Sequence, residues 1–235
     1  MSQLTLLTVD EPKQPPGVEL RNCSVQDLLA NMPGAPSLIV ADPPWSYTND
    51  RSGLNGCAGN HYATVTDTEI VDVLALAHGV AKPGGRLAVW LTWPKLQNWI
   101  DAVEACDRWP WRFVSGGAWT KIGGPGIGYH WLGNSEPVFL FCKEGKPHTN
   151  TTITTSNAHT SRRQKHSEKP AGWMVEWLQR WTAPDDLICD LFAGMAPLGR
   201  AVAMAGEGRR YVGAELDPKR YREAVDKLAL WRCLE

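Results

Sequence analysis

Asp42-Pro43-Pro44-Trp45 closes an apolar run, Ser37 to Ala41. Prolines stop a strand, and the residue before a proline is held extended. The spacing therefore predicts an acid at the mouth of a strand, with an aromatic ring just beyond it on a stiff turn. These residue types suit a flat ligand that carries an amine. The Asp42 carboxylate and the Pro43 and Pro44 carbonyls accept its hydrogens, and Trp45 offers a flat apolar face. An aromatic amine is a weak nucleophile because its lone pair is spread into the ring. Acceptors fixed in the plane of its hydrogens draw that pair back onto nitrogen, ready to attack an activated methyl.

A second constellation lies near the C-terminus. "DLFAG", residues 190–194, sets Asp190 at a strand end and Gly194 at the turn into a helix. Such a turn lets a ligand approach the backbone near a helix N-terminus. Glu215, in "GAELD", follows Asp190 by 25 residues at the end of the next strand. A carboxylate there can accept both hydroxyls of a ribose. The pattern is not G-x-G-x-x-G, and Met195, Ala196 and Pro197 make a poor pyrophosphate cradle, which favours a nucleoside-type ligand over a dinucleotide. An ordinary strand–helix–strand unit with a capping acid is the plainer alternative.

The elements that must hold these groups follow from hydrophobic period. "VELRNCSVQDLLANMPGAPSLIVADPPW" reads as strand, short helix, then strand, and "RLAVWL", "DLICDLFAG" and "RRYVGAELD" read as strands. Further helices are predicted in "TDTEIVDVLALAHGVAKPGG", capped by Thr66 or Asp67 and ended by "KPGG", and in "KLQNWIDAVEAC", "KPAGWMVEWLQRW", "APLGRAVAMAG" and "PKRYREAVDKLALW". Strands alternating with helices imply an α/β protein, its sheet mostly parallel with helices on both faces. "RFVSGGAWTKI" and "PVFLFCKE" lack an intervening helix, so an antiparallel pair is expected at the sheet edge. Residues 1–17 read as an N-terminal arm and 18–235 as one domain, with mobile loops near 48–60, 122–135 and 145–166.

The 235 residues carry a net charge of -1, so nucleic-acid binding is not advertised by the whole chain and needs a local basic patch. Between Gly145 and Pro170, Lys146, Arg162, Arg163, Lys165 and Lys169 face a single acid, Glu168. That stretch is the candidate for phosphate contacts; a solvated loop is the plainer alternative. The six cysteines have no C-x-x-C spacing and read as reduced thiols in a cytoplasmic protein. No apolar run suits a membrane span. The histidines lack ligand spacing, and no metal site is expected. Most of the 12 tryptophans are expected in the core, Trp173, Trp177 and Trp181 among them.

The order of these pieces resembles the MT-A70 family of adenine-N6 methyltransferases. The resemblance rests on "DPPW", "NHYATV" at 60–65, "GGRLAVWLTWP", "WTKIG", "GIGYHWLGNSEPVFLFCKEGKP", "HSEKP" at 166–170, "DLFAG" and "GAELD". It implies a Rossmann-like methyltransferase sheet with permuted motif order, the catalytic motif preceding the cofactor motif. The implied methyl donor is S-adenosyl-L-methionine, leaving S-adenosyl-L-homocysteine. On this resemblance Asp42, Pro43 and Pro44 hold the target amine, and Trp45 stacks on or walls in the base. Asp190, Phe192, Ala193 and Gly194 lie under the cofactor, Glu215 holds its ribose, and Lys169 stands beside both cofactor and Asp42. His61, Tyr62, Asn134 and Glu136 fall on the substrate side, and Arg162, Arg163 and Lys165 on the polymer. Gly133 departs from the family's usual arginine.

The resemblance implies adenine, flipped out or single-stranded, in either polymer; the compact length without an added RNA-binding module makes DNA the expected substrate, with RNA the alternative and the enzyme a monomer or homodimer. A cytosine-N4 enzyme fits less well, because that chemistry resembles a Ser-Pro-Pro-aromatic motif. A non-catalytic nucleic-acid-binding relative fits less well too, because Asp42, Gly194 and Glu215 are all present.

Overall fold

Successive residues in the central strands bury alternately against two helical layers. In strand β2 (Leu38–Ala41), Leu38 and Val40 join one core cluster, and Ile39 and Ala41 join the other. A strand buried on both faces has to read as a continuous apolar run, as this one does. The computed structural model describes residues 14–46, 65–123, 133–162 and 168–231.

In chain order the elements are β1 (Val18–Arg21), α1 (Val25–Ala30), β2, α2 (Asp67–Val80), β3 (Arg86–Trp90), a short 3-10 turn (Trp93–Lys95), α3 (Leu96–Glu104), β4 (Arg112–Ile122), β5 (Ser135–Cys142), β6 (Ala158–Arg162), α4 (Ala171–Trp181), β7 (Leu187–Asp190), α5 (Pro197–Ala205), β8 (Arg210–Ala214) and α6 (Pro218–Trp231). Among the described residues one sheet forms, in the order β1-β8-β7-β2-β3-β5-β4-β6. Only β5 runs against its neighbours, and it does so against both β3 and β4. All other pairings are parallel.

Two sequence expectations are corrected here. The antiparallel pair is not at the edge, because β6 adds parallel to β4 outside it. The stretch 145–166, read as a loop, contains that strand. Its residues "AHTSR" are exposed or half-buried throughout, so no apolar alternation announced it.

Helix α2 starts where Thr66 caps it. The Thr66 Oγ1 accepts from the Glu69 backbone N–H, and the Glu69 carboxylate accepts from the Thr66 N–H at 2.9 Å. Its buried residues Ile70, Val71, Leu74 and Ala77 pack in the cluster that also holds Trp99 of α3. Helices α4, α5 and α6 cover the opposite face, with Trp173, Trp177, Leu198, Val202, Val225 and Leu228 buried there. The connection from β2 through α2 therefore runs to β3 over one face, and that from β7 through α5 runs to β8 over the other. Adjacent strands β2 and β7 diverge, and this switch point is where an open α/β sheet gathers ligands at its carboxyl ends.

Candidate active site

Asp42 is the first residue past β2, and Asp190 is the last of β7, so the two acids flank the switch point. The turn after Asp42 is fixed by its prolines and by Trp45. The Trp45 backbone N–H donates to the Pro43 carbonyl at 2.8 Å, and the Val65 N–H donates to the Pro44 carbonyl at 3.4 Å. Each carbonyl keeps one further lone pair for a ligand.

Trp45 is turned toward the core. Its ring is only 4% accessible and lies edge-on to Trp99, centroids 6.0 Å apart. Its indole N–H donates to the Trp90 carbonyl at 3.2 Å. Through these contacts Trp45 ties the loop to β3 and to the core below it.

Lys169 is buried, not solvated. Its Nζ lies 2.6 Å from Asp42 Oδ2, 3.2 Å from Glu136 Oε2, and 5.4 Å from the centre of the Trp90 ring. Glu136 also pairs with Lys121, whose ammonium sits over the Trp119 ring at 5.2 Å. Asp42, Lys169, Glu136 and Lys121 thus form one chain of alternating charge. Burial works against the charged forms of Asp42, Glu136 and Lys169. It pushes the Asp42 carboxyl up, with Lys169 pulling it back. Burial also opposes ionisation of Glu136, but Lys169 and Lys121 outweigh it and hold that carboxyl below the usual range. Asp42 and Glu136 likewise outweigh burial at Lys169 and hold its ammonium well above the usual lysine range. The Asp42 side chain keeps 37% of its surface accessible, so a ligand can reach it from one side.

Lys169 owes its position to its neighbours. Glu168 turns the other way, accepting from Arg200 of α5 at 2.7 Å and pairing with Lys227 of α6. Pro170 then stands at the N-cap of α4. Neither Glu168 nor Lys121 was singled out from the sequence. Ion pairs between residues far apart in the chain leave no local spacing to read.

On the other side of the switch point, Asp190 is 4% accessible and accepts from the Tyr211 hydroxyl at 3.3 Å. Burial, with the charge of Asp42, pushes its carboxyl up to about 7. Gly194 has φ +53 and a Cβ there would meet nothing within 4 Å, so the space above this turn is open to a ligand. Ala193 is buried and Phe192 half-buried beside it. The Glu215 carboxylate accepts from the Gly194 N–H at 2.9 Å and the Asp217 N–H at 2.8 Å, and burial raises its pKa.

Asn134 is exposed at the start of β5, where its carbonyl accepts from the Lys121 N–H at 2.6 Å. Arg162 is exposed at the end of β6, in register with Ile122 and four strands from Asp42. At about 4.8 Å per strand that is roughly 19 Å away, on the same rim but outside the pocket. His61, Tyr62, Arg163 and Lys165 lie outside the described residues.

A model of the MT-A70 family matches residues 36–199. The match takes in Asp42, Glu136, Lys169 and Asp190 and ends before Glu215. An MT-A70-like N(6)-adenosine-methyltransferase of Medicago truncatula is 27% identical over 182 residues, 74% of this chain but 26% of that protein. The chain spans about a quarter of the length of this curated relative. Among solved structures, M1.HpyAVI with S-adenosylmethionine bound has a TM-score of 0.66 at 15% identity, covering 89% of this chain and 99% of that one. The cytosine-N4-specific PvuII DNA methyltransferase has a TM-score of 0.71 at 15% identity, covering 92% and 93%. At such identity the likeness is one of fold.

Proposed function

Because the chain belongs to the MT-A70 family, we propose that it is an S-adenosylmethionine-dependent methyltransferase that methylates the N6 amine of adenine in DNA, the base flipped out or single-stranded. The observation that carries the reading is the Asp42–Lys169–Glu136 arrangement at the switch point.

The residues present fit the methyl donor. Asp42, Asp190 and Glu215 stand at the carboxyl ends of three adjacent strands, each with its carboxyl pushed up by burial. Such a row of desolvated acids is relieved by a cation, and Glu215 has lone pairs to spare for ribose hydroxyls. When bound, the donor supplies a methyl on a positively charged sulfur, already an activated leaving group.

Asp42 then accepts a hydrogen of the N6 amine and draws its lone pair out of the ring. The nitrogen–carbon bond forms as the sulfur–carbon bond breaks, and the amine sheds one proton. Asp42, its carboxyl raised by burial, accepts it, and Lys169 fixes the orientation of that carboxylate. The spare lone pairs of Pro43 and Pro44 hold the second amine hydrogen. Extruding an adenine from a duplex costs a few kcal/mol, and phosphate contacts along the rim, Arg162 among them, offset part of it.

RNA is the second reading, favoured by the word adenosine in the name of the Medicago relative. No described helix is long and apolar enough to cross a membrane. The test is Asp42→Ala. Methyl transfer to an adenine-bearing oligonucleotide is lost while S-adenosylmethionine still binds; full activity in that variant removes the assignment.

A further inference from the structure

With Trp45 turned into the core, the site needs another aromatic surface for the polymer, and the carboxyl rim carries one. Trp93 follows β3 by three residues and is 48% exposed, the only tryptophan among the exposed large hydrophobic residues of the described chain. Its ring is not loose. The indole N–H donates to Ser135 Oγ at 2.9 Å, and Pro94 stiffens the backbone behind it. Ser135 opens β5 and is followed by Glu136, the partner of Lys169. The register agrees: Trp90 pairs with Val138, and Leu91 N–H donates to the Pro137 carbonyl, so the next positions, Thr92 and Trp93, run alongside Glu136 and Ser135.

Trp93 is also near the reacting group. Ala41 pairs with Val89, which sets Asp42 level with Trp90 on the adjacent strand. Three residues beyond Trp90, past the end of β3, place Trp93 on the order of 10 Å from Asp42. That separation is too long for a ring stacked on the target adenine and suits a ring under the next base of an unstacked strand. Scattered exposed apolar residues need no explanation. A large ring, oriented by its own hydrogen bond and set on the ligand-binding rim, is a platform.

We propose that Trp93 is a stacking platform for the base flanking the target adenine, held in orientation by Ser135. The inference rests on the nucleic-acid reading of the site given above. Every nucleobase has a face to stack, so the platform adds affinity without choosing a sequence. It also keeps the strand unstacked on one side of the target, where an extruded base must leave its neighbours.

The test uses the full chain, a fluorescein-labelled single-stranded oligonucleotide with one adenine, and a second in which the residues flanking that adenine lack bases. Trp93→Ala is expected to weaken binding of the first about tenfold and to raise its KM to match, with kcat changed less than twofold. Trp93→Phe recovers most of the loss, and Ser135→Ala falls between. On the flank-abasic oligonucleotide, wild type and Trp93→Ala bind alike. Wild-type affinity in Trp93→Ala, or the same loss on both oligonucleotides, overturns the proposal while leaving the functional reading standing. A wild-type protein that binds and methylates no oligonucleotide overturns the functional reading, and the platform with it. The Trp93→Phe comparison and an unchanged affinity for S-adenosylmethionine by calorimetry separate a lost platform from a misfolded chain.

Discussion

Lys169 Nζ lies 2.6 Å from Asp42 Oδ2, joining two residues 127 positions apart in the chain. The pair closes the mouth of β2 with the residue that precedes α4, and Glu136 ties both to β5. A cation in that position fixes the orientation of the Asp42 carboxyl and opposes its protonation. Lys169→Met is expected to lower kcat by about 10²–10³ while S-adenosylmethionine affinity changes less, measured by steady-state kinetics and calorimetry.

Lys121 acts through Glu136. Removing its charge as Lys121→Met leaves Lys169 alone to hold the Glu136 carboxyl down, so that carboxyl rises from its lowered value. The acidic limb of the kcat/KM profile is therefore expected to move to higher pH. A profile that falls uniformly without shifting assigns Lys121 to folding alone.

Asp190 makes stability depend on pH in the direction opposite to most carboxylates. Its folded value of about 7 stands above the ordinary 3.8. Between those values the native state binds more protons than the unfolded chain, so stability falls as pH rises through this window. Thermal midpoints of the ligand-free protein are expected to drop from pH 5 to pH 8, and the drop is expected to shrink in Asp190→Asn. An equal drop in both proteins removes Asp190 as its source.

Glu215→Ala leaves the Gly194 and Asp217 N–H groups without their acceptor and takes away the proposed ribose contact. Hydrogen bonds to a charged group contribute about 1.5–3 kcal/mol each, so S-adenosylmethionine is expected to bind about 10- to 100-fold more weakly by calorimetry. Unchanged affinity places the ribose elsewhere.

Trp45 separates packing from stacking. Trp45→Phe keeps a ring against Trp99 but loses the bond to the Trp90 carbonyl. About 1–2 kcal/mol of stability is expected to go, with most of kcat retained in the folded protein. A collapse of kcat at unchanged stability returns the ring to the substrate.

Most of the frame was legible in the sequence because local rules govern it. Thr66 and Glu69 announce α2, the apolar run at 38–41 announces a central strand, and "DLFAG" announces the turn at Gly194. Strand β6 was missed because an exposed edge strand of Ala, His, Thr, Ser and Arg has no apolar face to alternate. The direction of the Trp45 ring was not legible because its partners, Trp99 and the Trp90 carbonyl, are brought near only by the fold. Lys121 and Glu168 were missed because their partners are brought near only by the sheet and by helices α5 and α6.

The most direct measurement incubates the protein and its Asp42→Ala variant with methyl-labelled S-adenosylmethionine and a panel of single-stranded and duplex DNA and RNA. Digestion to nucleosides then locates the label. The account predicts label in N6-methyldeoxyadenosine with the wild-type protein and none with the variant; label confined to RNA adenines selects the second polymer. Label on cytosine N4, or equal labelling by wild type and variant, contradicts it.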